Sequence, residues 1–300
     1  MSLSRLESLA YRMLGSIADA EDVVQEAQVR LLQLKQSEEA AAVENEQAWL
    51  FRVVTNLSLD RLRALRRARE QYPGPWLPEP VMTDQEAPEA LTGLAEELSL
   101  GLLFVLERLS PLERVVFILR EGFDLPFDDI AVMVDASAAS CRQRYRRARE
   151  HLRDEPRFPA PAAAQGELLN RLLLAVAEKD SAAIVALFDA DAVVYTDGGG
   201  VVSAAVRPVT DPRRIAQVLL HLAQKGIEEG GIDYTQTLLN GAPALLLSQN
   251  GVLHSTVQLE VRDNRILRLY VMRNPDKLTR VRLTPACTGR LGTRINVSVG

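Results

Sequence analysis

The sequence predicts a multidomain protein with two all-α modules followed by an α+β domain. Apolar residues recur with helical spacing over residues 3–70 and again over 99–153, which is typical of amphipathic helices. A proline-rich, acidic stretch at residues 71–98 separates these helical modules. Beyond residue 165, helical sequence gives way to runs with strand-like alternation. A chain of 300 residues is long enough for several domains with separate cores.

The first module, residues 1–70, contains three predicted helices. The first helix carries an apolar stripe formed by Leu6, Leu9, Ala10 and Met13. The second follows Ser16, a residue type that favours the N-cap position. The third helix is apolar around residues 50–57 and continues into a basic end. This end holds five arginines: Arg61, Arg63, Arg66, Arg67 and Arg69.

The predicted linker, residues 71–98, opens with the run YPGPWLPEP. Its four prolines and one glycine are incompatible with a helix or a central strand. Residues 71–110 carry one arginine against seven acidic residues, although the whole chain has a net charge of only −5. We therefore expect an acidic connection between two modules that are themselves locally basic.

The second module, residues 99–155, is again helical. Its helices are interrupted at Ser110-Pro111, and Pro126 opens a further short helix. The turn DASA then leads into an arginine-rich helix, so residues 126–153 predict a helix–turn–helix.

The C-terminal region, predicted at residues 165–282, follows a second linker rich in proline and alanine. Helices are expected first, and an antiparallel run of strands is expected to follow. The predicted strands lie at residues 192–197, 244–249, 255–261 and 265–272. The final segment, residues 283–300, has no clear periodicity and is expected to be an unstructured tail.

The last helix of the helix–turn–helix combines an apolar stripe with a basic one. Cys141, Tyr145, Ala148 and Leu152 repeat at helical spacing and are expected to pack inward. Six arginines are distributed over the remaining surface: Arg142, Arg144, Arg146, Arg147, Arg149 and Arg153. Such a helix can place guanidinium groups against phosphates and guanine edges in a major groove. The alternative is an ordinary solvated basic helix on the outside of a bundle.

The basic end of the third helix is a second candidate nucleic-acid site. Asn56, Ser58, Asp60, Arg61 and Arg63 combine hydrogen-bonding and cationic groups and are predicted to share one side of the helix. This side could hold a melted strand, with cations on its backbone and polar groups at a flipped base. Alternatively, these cations complement the negative end of the helix dipole. Two basic helices in separate modules favour a protein that grips two DNA elements.

Other classes of protein and location are not expected. The two cysteines, Cys141 and Cys287, are far apart, so we expect neither a disulfide framework nor a metal site. The N-terminal sequence does not resemble a signal peptide, and no apolar run reaches the roughly 20 residues of a membrane helix. A cytoplasmic protein without a membrane contact is the expectation.

The chain resembles the extracytoplasmic-function (ECF) sigma factors of the sigma-70 family. AYRMLGSIADAEDVVQEAQVRLLQL and AWLFRVVTNLSLDRLRALRRARE are similar to their region 2, and LSPLERVVFILREGFDLPFDDIAVMVDASAASCRQRYRRARE is similar to their region 4. Three short marks resemble a subgroup with a fused SnoaL-like domain: WLPEP at 76–80, DGGG at 197–200 and NPDKL at 274–278. The marks occur in the expected order over roughly residues 3–280.

The resemblance implies a fold and a set of binding residues. It implies a region 2 helical bundle, a region 4 helix–turn–helix and a C-terminal SnoaL-like cone. Asp22, Gln25 and Glu26 would dock on the β′ subunit of core RNA polymerase, which binds through its β and β′ subunits. The implied readers of the −10 promoter element are Asn56, Asp60, Arg61, Arg63 and Arg67. The implied −35 contacts are Ser140, Arg142, Gln143, Arg144, Arg146 and Arg147.

The resemblance also implies regulation within the chain. The acidic linker would thread through the polymerase, where its charge suits a mimic of nucleic acid in a basic channel. The fused domain would take the place of a separate anti-sigma factor, so none is expected. The implied interdomain residues are Trp76, Leu77, Pro78, Glu79, Pro80, Asp197, Gly198, Gly199, Gly200, Asn274, Pro275, Asp276, Lys277 and Leu278. We expect Asp276 and Lys277 to make charged contacts with region 2 or the linker. The alternative is a purely local role, in which DGGG forms a tight turn and NPDKL marks the end of a strand.

Two other functions remain open from the sequence. One is a helix–turn–helix regulator that binds DNA without polymerase and senses a small ligand in its C-terminal domain. The other is an enzyme of the SnoaL-like class, which would need a matched acid and base. Candidate polar groups for such a site are Tyr195, Asp197, Tyr234, His254 and Tyr270. The sequence gives no matched catalytic pair, so neither an enzymatic activity nor a cofactor is expected, although an unknown small ligand is compatible with the C-terminal domain.

Overall fold

A computed structural model of the chain describes residues 3–37, 45–83, 99–153, 160–283 and 288–291. The chain divides into two compact units. The first unit contains both helical modules except residues 99–101, and the second contains the C-terminal region together with residues 72–83 and 99–101. Each unit is considered by itself.

The described residues of the first module, 3–37 and 45–70, contain three helices: α1 (Leu3–Leu14), α2 (Ile17–Lys35) and α3 (Glu46–Glu70). The Ser16 side chain accepts a hydrogen bond from the backbone N–H of Asp19 at 3.2 Å, so Ser16 is the N-cap of α2 as predicted. Asn45 caps α3 in the same way through Gln47 and Ala48. The predicted stripe of α1 is fully buried, and it packs with apolar residues of α2 and α3.

Four shorter helices form the second module: α4 (Leu100–Leu106), α5 (Pro111–Glu121), α6 (Phe127–Met133) and α7 (Ala138–His151). Ser110 and Glu113 form a reciprocal capping box at the start of α5, which fixes the predicted break at Ser110-Pro111. Helices α6 and α7 both pack on α5 and on each other, and they constitute the predicted helix–turn–helix.

The second unit combines helices with one seven-stranded sheet. Its helices are α8 (Ala162–Ala177), α9 (Ser181–Leu187), α10 (Pro212–Glu228) and α11 (Pro275–Leu278). Its strands are β1 (Phe188–Asp197), β2 (Val209–Thr210), β3 (Ile232–Leu239), β4 (Ala242–Gln249), β5 (Val252–Arg262), β6 (Arg265–Met272) and β7 (Thr288–Leu291). The sheet order is β2-β1-β6-β5-β4-β3-β7.

The sheet corrects three expectations from the sequence. It is mixed rather than wholly antiparallel, because β1 and β6 are parallel neighbours. Strand β3 was not predicted. Its sequence, IDYTQTLL, has polar residues at several partly buried positions and so lacks a clear apolar–polar alternation. Strand β7 lies in the predicted unstructured tail; it is only four residues long and is fixed by pairing with β3, which local periodicity does not report.

One face of the sheet packs on helices α8, α9 and α10. Its apolar cluster includes Leu169 and Leu172 of α8, Ile215 of α10, and Leu259 and Leu269 of the central strands. Because side chains alternate along a strand, Tyr270 and Met272 point to the opposite face. They are nevertheless only 2% and 1% exposed, so that face is covered as well.

Residues 72–83, predicted as linker, form part of this second unit. The backbone N–H of Leu77 binds Asp197 at the end of β1, while Val81 and Thr83 exchange backbone hydrogen bonds with Asn240 and Leu238 at the β3–β4 turn. Strands β6, β5 and β4 lie between these points. At about 4.8 Å per strand, the distance is on the order of 20 Å, which six extended residues cover. The segment therefore crosses the sheet. Its proline-rich composition reflects packing on the sheet and not the flexibility of a free tether.

Candidate functional site

Helix α7 presents a basic surface while its apolar stripe is anchored. Cys141, Ala148 and Leu152 are buried, as predicted. The half-buried Tyr145 ring stacks on Phe117 and meets Phe127 edge-on, with ring centroids 6.2 and 5.5 Å away, and its hydroxyl donates to Glu121. Burial, and then the neighbouring Glu121 carboxylate, raise the pKa of the Tyr145 hydroxyl. These contacts fix the rotation of α7 about its own axis.

The predicted −35 residues lie mostly on the exposed side of α7. Arg142, Gln143, Arg146 and Arg147 are exposed, whereas Arg144 and Ser140 are half-buried. Arg146 lies 3.4 Å from Glu150, but both side chains are more than 60% exposed, and such surface pairs contribute little. The exposed guanidinium groups can therefore exchange these partners for phosphate or base edges.

The predicted −10 residues divide between two sides of α3. Asn56, Asp60, Arg63 and Arg67 recur at helical spacing on one side, where Arg63 donates to Asp60 at 2.9 Å. Arg61 turns instead toward α2 and forms an ion pair with Asp19. Ser58 is fully buried, so the sequence-based placement of Ser58 with the exposed polar side was wrong. Its hydroxyl lies on the face that packs inside the module.

The predicted docking residues form one exposed surface on α2. Asp22, Gln25 and Glu26 are all exposed, and Glu26 pairs with Arg30 one turn later. Val29 and Leu32 continue this surface with 47% and 61% exposure, an apolar extension that the sequence analysis missed. A helical surface that combines acidic groups with exposed apolar side chains is suited to a protein partner.

The DGGG, NPDKL and WLPEP segments meet around the buried carboxylate of Asp197. Asp197 is 1% exposed and accepts four hydrogen bonds. The donors are the Tyr72 hydroxyl at 2.6 Å, the Lys277 ammonium at 2.8 Å, and the backbone N–H groups of Leu77 at 2.9 Å and Gly199 at 3.0 Å. A buried carboxylate is tolerated when its lone pairs are satisfied in this way. We call the group Tyr72, Trp76, Leu77, Asp197, Asn274 and Lys277 the clasp.

Lys277 is the cationic centre of the clasp. Besides Asp197, its ammonium group donates to the backbone carbonyl of Leu77 at 2.6 Å. It lies 4.0 Å from the centre of the Trp76 ring and 5.1 Å from that of Tyr72, within the range of cation–π interactions. The expected contact between Lys277 and the linker is thus present. The neighbouring Asp276 side chain is exposed; its backbone N–H donates to the Asn274 side chain, and its backbone carbonyl accepts from the Thr279 hydroxyl.

Close backbone approach explains the glycines of DGGG. Gly199 and Gly200 have φ values of +65° and +73°, which side chains disfavour. A Cβ atom on Gly199 would lie 2.5 Å from Asn274, and one on Gly200 would lie 2.7 Å from Pro73. The segment is therefore a tight turn whose backbone also lies close to Asn274 and Pro73.

Tyr72 belongs to the clasp but was not among the predicted interdomain residues. Its hydroxyl donates to Asp197 and accepts from the Asn274 amide at 2.9 Å. Burial raises the pKa of this hydroxyl, and the bond to Asp197 raises it further. An aromatic residue at the start of a proline-glycine run was the available signal.

The remaining WLPEP and NPDKL residues support the clasp by packing. Leu77, Pro78, Glu79, Pro80 and Leu278 are buried. The Glu79 carboxylate lies 4.0 Å from the Arg280 guanidinium. Pro275 opens α11 at its first position, a site that suits proline because no backbone donor is needed there.

The candidate acid–base residues of the C-terminal domain do not converge. Tyr195 stacks on Tyr270, whose hydroxyl donates to Glu260 at 2.9 Å. Tyr234 belongs to the apolar cluster on the other face of the sheet. The Nδ1 atom of His254 is hydrogen-bonded to the hydroxyl of its neighbour Ser255 at 2.8 Å, and burial lowers the pKa of the His254 ring. Within the described parts of the chain, these groups form no single catalytic constellation.

The described residues contain neither a membrane-spanning helix nor a metal-ligating cluster. No helix there is both long and apolar enough to cross a membrane. No group of three or more potential metal-ligating side chains was found over the same residues.

Comparison with known proteins identifies the class. Residues 1–68 match the family Sigma-70 region 2, and residues 100–152 match Sigma-70, region 4. The chain belongs to the ECF RNA polymerase sigma factors, since it is 35% identical over 286 residues to a member of that family, covering 91% of this chain and 90% of the relative. That relative is the ECF RNA polymerase sigma factor SigJ of Mycobacterium tuberculosis.

Further comparisons support the assignment to the ECF sigma factors. The crystal structure of Mycobacterium tuberculosis SigJ matches with a TM-score of 0.74 and 33% identity, covering 94% of this chain and 97% of that one. The probable ECF sigma factor SigI of the same species is 30% identical, with 92% of each chain covered. The first unit thus contains regions 2 and 4 of a sigma factor, and the C-terminal mixed-sheet domain is SnoaL-like, as the sequence predicted.

Proposed function

We propose that this sigma factor directs core RNA polymerase to promoters by reading the −10 element with α3 and the −35 element with α7. The observation that carries the proposal is the pair of helices, one in each sigma region, that both present exposed arginine side chains. A single duplex-binding module would need only one such helix.

For the −35 element, α7 supplies the reading surface. We assign Arg142, Gln143, Arg146 and Arg147 to base edges or phosphates, with Arg144 and Ser140 at the margin of the contact. The support is that the first four are exposed on a helix whose opposite side is anchored by Cys141 and Tyr145. An arginine side chain forms bidentate hydrogen bonds with guanine and also binds phosphate, so an arginine-rich helix is suited to both contacts.

For the −10 element, the exposed side of α3 is the proposed reader. Asn56 would contact a base, Arg63 and Arg67 would contact the strand backbone, and Asp60 would orient Arg63. Arg61 requires release from Asp19 before it can join them, and its side chain is 47% exposed in the pair. A melted strand offers unpaired base edges that such polar groups can recognise.

For polymerase docking, we propose the α2 surface formed by Asp22, Gln25 and Glu26. Val29 and Leu32 extend it and would supply apolar contact area to the β′ subunit. Region 4 would contact the β subunit. Because this function depends on polymerase and promoter DNA, the protein is expected to act in the cytoplasm.

The fused domain is proposed to regulate the chain through the clasp. In the clasp, linker residues 72–83 are bound to the SnoaL-like sheet and are unavailable for threading through the polymerase. This arrangement supports control within one chain, without a dedicated anti-sigma factor. No ligand for the SnoaL-like domain is assigned.

We further propose a domain division based on these roles. Region 2 spans residues 1–70, the linker 71–98, region 4 99–155, the SnoaL-like domain 165–282 and the tail 283–300. Two refinements follow from the contacts already described. Residues 72–83 pack with the SnoaL-like sheet, and β7 places residues 288–291 in that sheet.

The test is run-off transcription with purified core polymerase. Promoter-specific transcripts should appear only when the protein and the core enzyme are both present. The alternative, a ligand-sensing regulator that acts without docking, is not favoured because both sigma regions are present. A triple change of Asp22, Gln25 and Glu26 to alanine should abolish the transcripts. A protein that represses or activates another sigma factor's promoter, yet yields no transcripts of its own, would contradict the proposal.

A further inference from the structure

Regions 2 and 4 contact one another within the first unit, and the contact is built around one partly buried carboxylate. Glu107, which directly follows α4, accepts hydrogen bonds from two arginines of different regions. Arg69 comes from the basic end of α3 in region 2, and Arg114 comes from α5 in region 4. The side chains of Arg69, Glu107 and Arg114 are only 16%, 17% and 2% exposed.

Both arginines also bind backbone carbonyls of region 2. Arg69 donates to the carbonyl of Leu14 at 2.5 Å, and Arg114 donates to that of Arg12 at 3.2 Å. Arg114 is thus a region 4 side chain whose second partner lies in the other region. Charge-assisted hydrogen bonds of this kind are stronger than neutral ones, particularly where water is excluded.

An aromatic contact forms the other part of the same interface. Phe123, just beyond α5, meets Phe51 of α3 edge-to-face, with ring centroids 5.3 Å apart. The guanidinium groups of Arg12 and Arg5 lie over the same ring at 5.4 and 5.7 Å. Phe123 is therefore surrounded by region 2 side chains on several sides. We call Arg69, Glu107, Arg114 and Phe123 the latch.

The closed unit is too small to engage both promoter elements. The names of these elements place them about 25 base pairs apart, which is roughly 85 Å at 3.4 Å per pair. A compact body of roughly 100–150 residues is on the order of 35–40 Å across. While regions 2 and 4 remain in one compact unit, α3 and α7 cannot lie on straight DNA at both elements.

We propose that the latch is an autoinhibitory contact that holds regions 2 and 4 closed, and that its opening frees Arg69 for the DNA backbone. The consequence for transcription rests on the proposed function, whereas the latch itself rests only on contacts within the first unit. At its centre, the Arg69 and Arg114 guanidinium groups share the Glu107 carboxylate. A phosphate group would therefore be a suitable replacement partner for Arg69 once Glu107 moves away.

Two substitutions test the latch in the full-length chain. Glu107→Gln removes the carboxylate shared by two largely buried guanidinium groups, which strongly disfavours the closed form. Arg69→Gln is milder, because it leaves the Glu107–Arg114 pair intact within region 4. Arg66→Gln is the matched control, since Arg66 lies on the same helix and forms an exposed pair with Glu70.

The measurement is the distance between spin labels at exposed Gln28 in α2 and Ala139 in α7, obtained by double electron–electron resonance. Native Cys141 and Cys287 are replaced in every sample. The parent and Arg66→Gln should give one narrow distribution below the roughly 40 Å that a compact body allows. Glu107→Gln and Arg69→Gln should move most of the population to longer, broader distances. Folded variants whose distribution matches the parent would overturn the latch.

Transcription separates the latch from its proposed consequence. With core polymerase limiting, Glu107→Gln should raise run-off transcripts several-fold over the parent. If Glu107→Gln does not fold, the distance change in Arg69→Gln decides whether a latch exists. Longer distances without more transcripts from Glu107→Gln would overturn the autoinhibitory role. The loss of transcripts from every sample, parent included, would contradict the sigma function and leave the distance result intact.

Discussion

At the scale of single residues, exposure and charge pairing distinguish Arg146 of α7 from Arg69 of α3. On α7, Arg146 is 76% exposed at its side chain and is held only by a surface pair with Glu150. At the end of α3, Arg69 is bound at both ends of its guanidinium group and is 16% exposed. Both belong to arginine-rich helical ends in the sequence, yet only Arg146 is immediately available to DNA.

Arg146→Ala should therefore weaken specific promoter binding by the polymerase holoenzyme. The expected cost is about 1–3 kcal/mol if Arg146 reads a base at the −35 element. Filter binding at several salt concentrations would distinguish base reading from a phosphate contact. Loss of a phosphate contact should weaken all sequences equally and reduce the salt slope by about one.

Arg213→Ala provides the control for total charge, because Arg213 is exposed at the start of α10 in the other unit. It should leave promoter affinity within experimental error of the parent. Equal affinities for Arg146→Ala and Arg213→Ala would remove Arg146 from the proposed −35 surface.

Asp197→Asn should destabilise the second unit, because it leaves the Lys277 ammonium in a largely buried site without its counter-charge. Breaking a buried pair in this way costs about 3–5 kcal/mol. Asp276→Asn is the matched control: its exposed carboxylate lies next to Lys277 in NPDKL, so a change of about 0.5 kcal/mol or less is expected. Urea denaturation followed by Trp76 fluorescence, with Trp49 replaced by phenylalanine in every sample, measures both, and equal midpoints would contradict the described role of Asp197.

At the scale of elements, the linker segment 72–83 acts as part of the sheet domain. Leu77 is fully buried, and its backbone binds Asp197 and Lys277 on both sides. Leu77→Ala should cost about 2–5 kcal/mol, the usual range for such a core truncation. Hydrogen exchange at Val81 and Thr83 should accelerate as the segment loosens.

Leu222→Ala is the comparison for this truncation, because Leu222 is 47% exposed on α10. It should leave exchange at Val81 and Thr83 unchanged. Slow exchange there in Leu77→Ala as well would mean that the backbone bonds to Leu238 and Asn240 hold the segment without Leu77.

Strand β7 gives a second prediction about an element. It covers the outer edge of β3, and its Leu291 is 7% exposed. Ending the chain at residue 283 should lower the unfolding temperature and promote association, because β3 would become an open edge. Full-length Leu291→Asp should reproduce the lower unfolding temperature while retaining the remaining tail. Calorimetry and light scattering measure the two effects, and a shortened chain that melts like the parent would contradict this role of β7.

At the scale of the whole molecule, the sequence predicted the helical modules better than the sheet domain. Helical spacing, caps and the helix–turn–helix depend on residues close in sequence. The helix start after Ser16 and the break at Ser110 could therefore be predicted. The clasp joins Tyr72 to Asp197 and Lys277 across more than a hundred residues, and no local pattern reports such a pairing. The short motifs indicated that residues 197–200 and 274–278 mattered, but the partner of each became visible only in the fold. The parallel β1–β6 pair is a further long-range feature of this kind.

The clasp has a consequence for how such a protein could be controlled in a cell. A segment and its receptor on one polypeptide meet at a fixed local concentration, commonly in the millimolar range for short flexible connections. Dilution or overproduction of the protein cannot change how often the two are joined. A competing partner must instead bind the segment or its receptor with an affinity high enough to overcome that local concentration. Control by abundance, available to a pair of separate proteins, is replaced by control through the strength of the competitor.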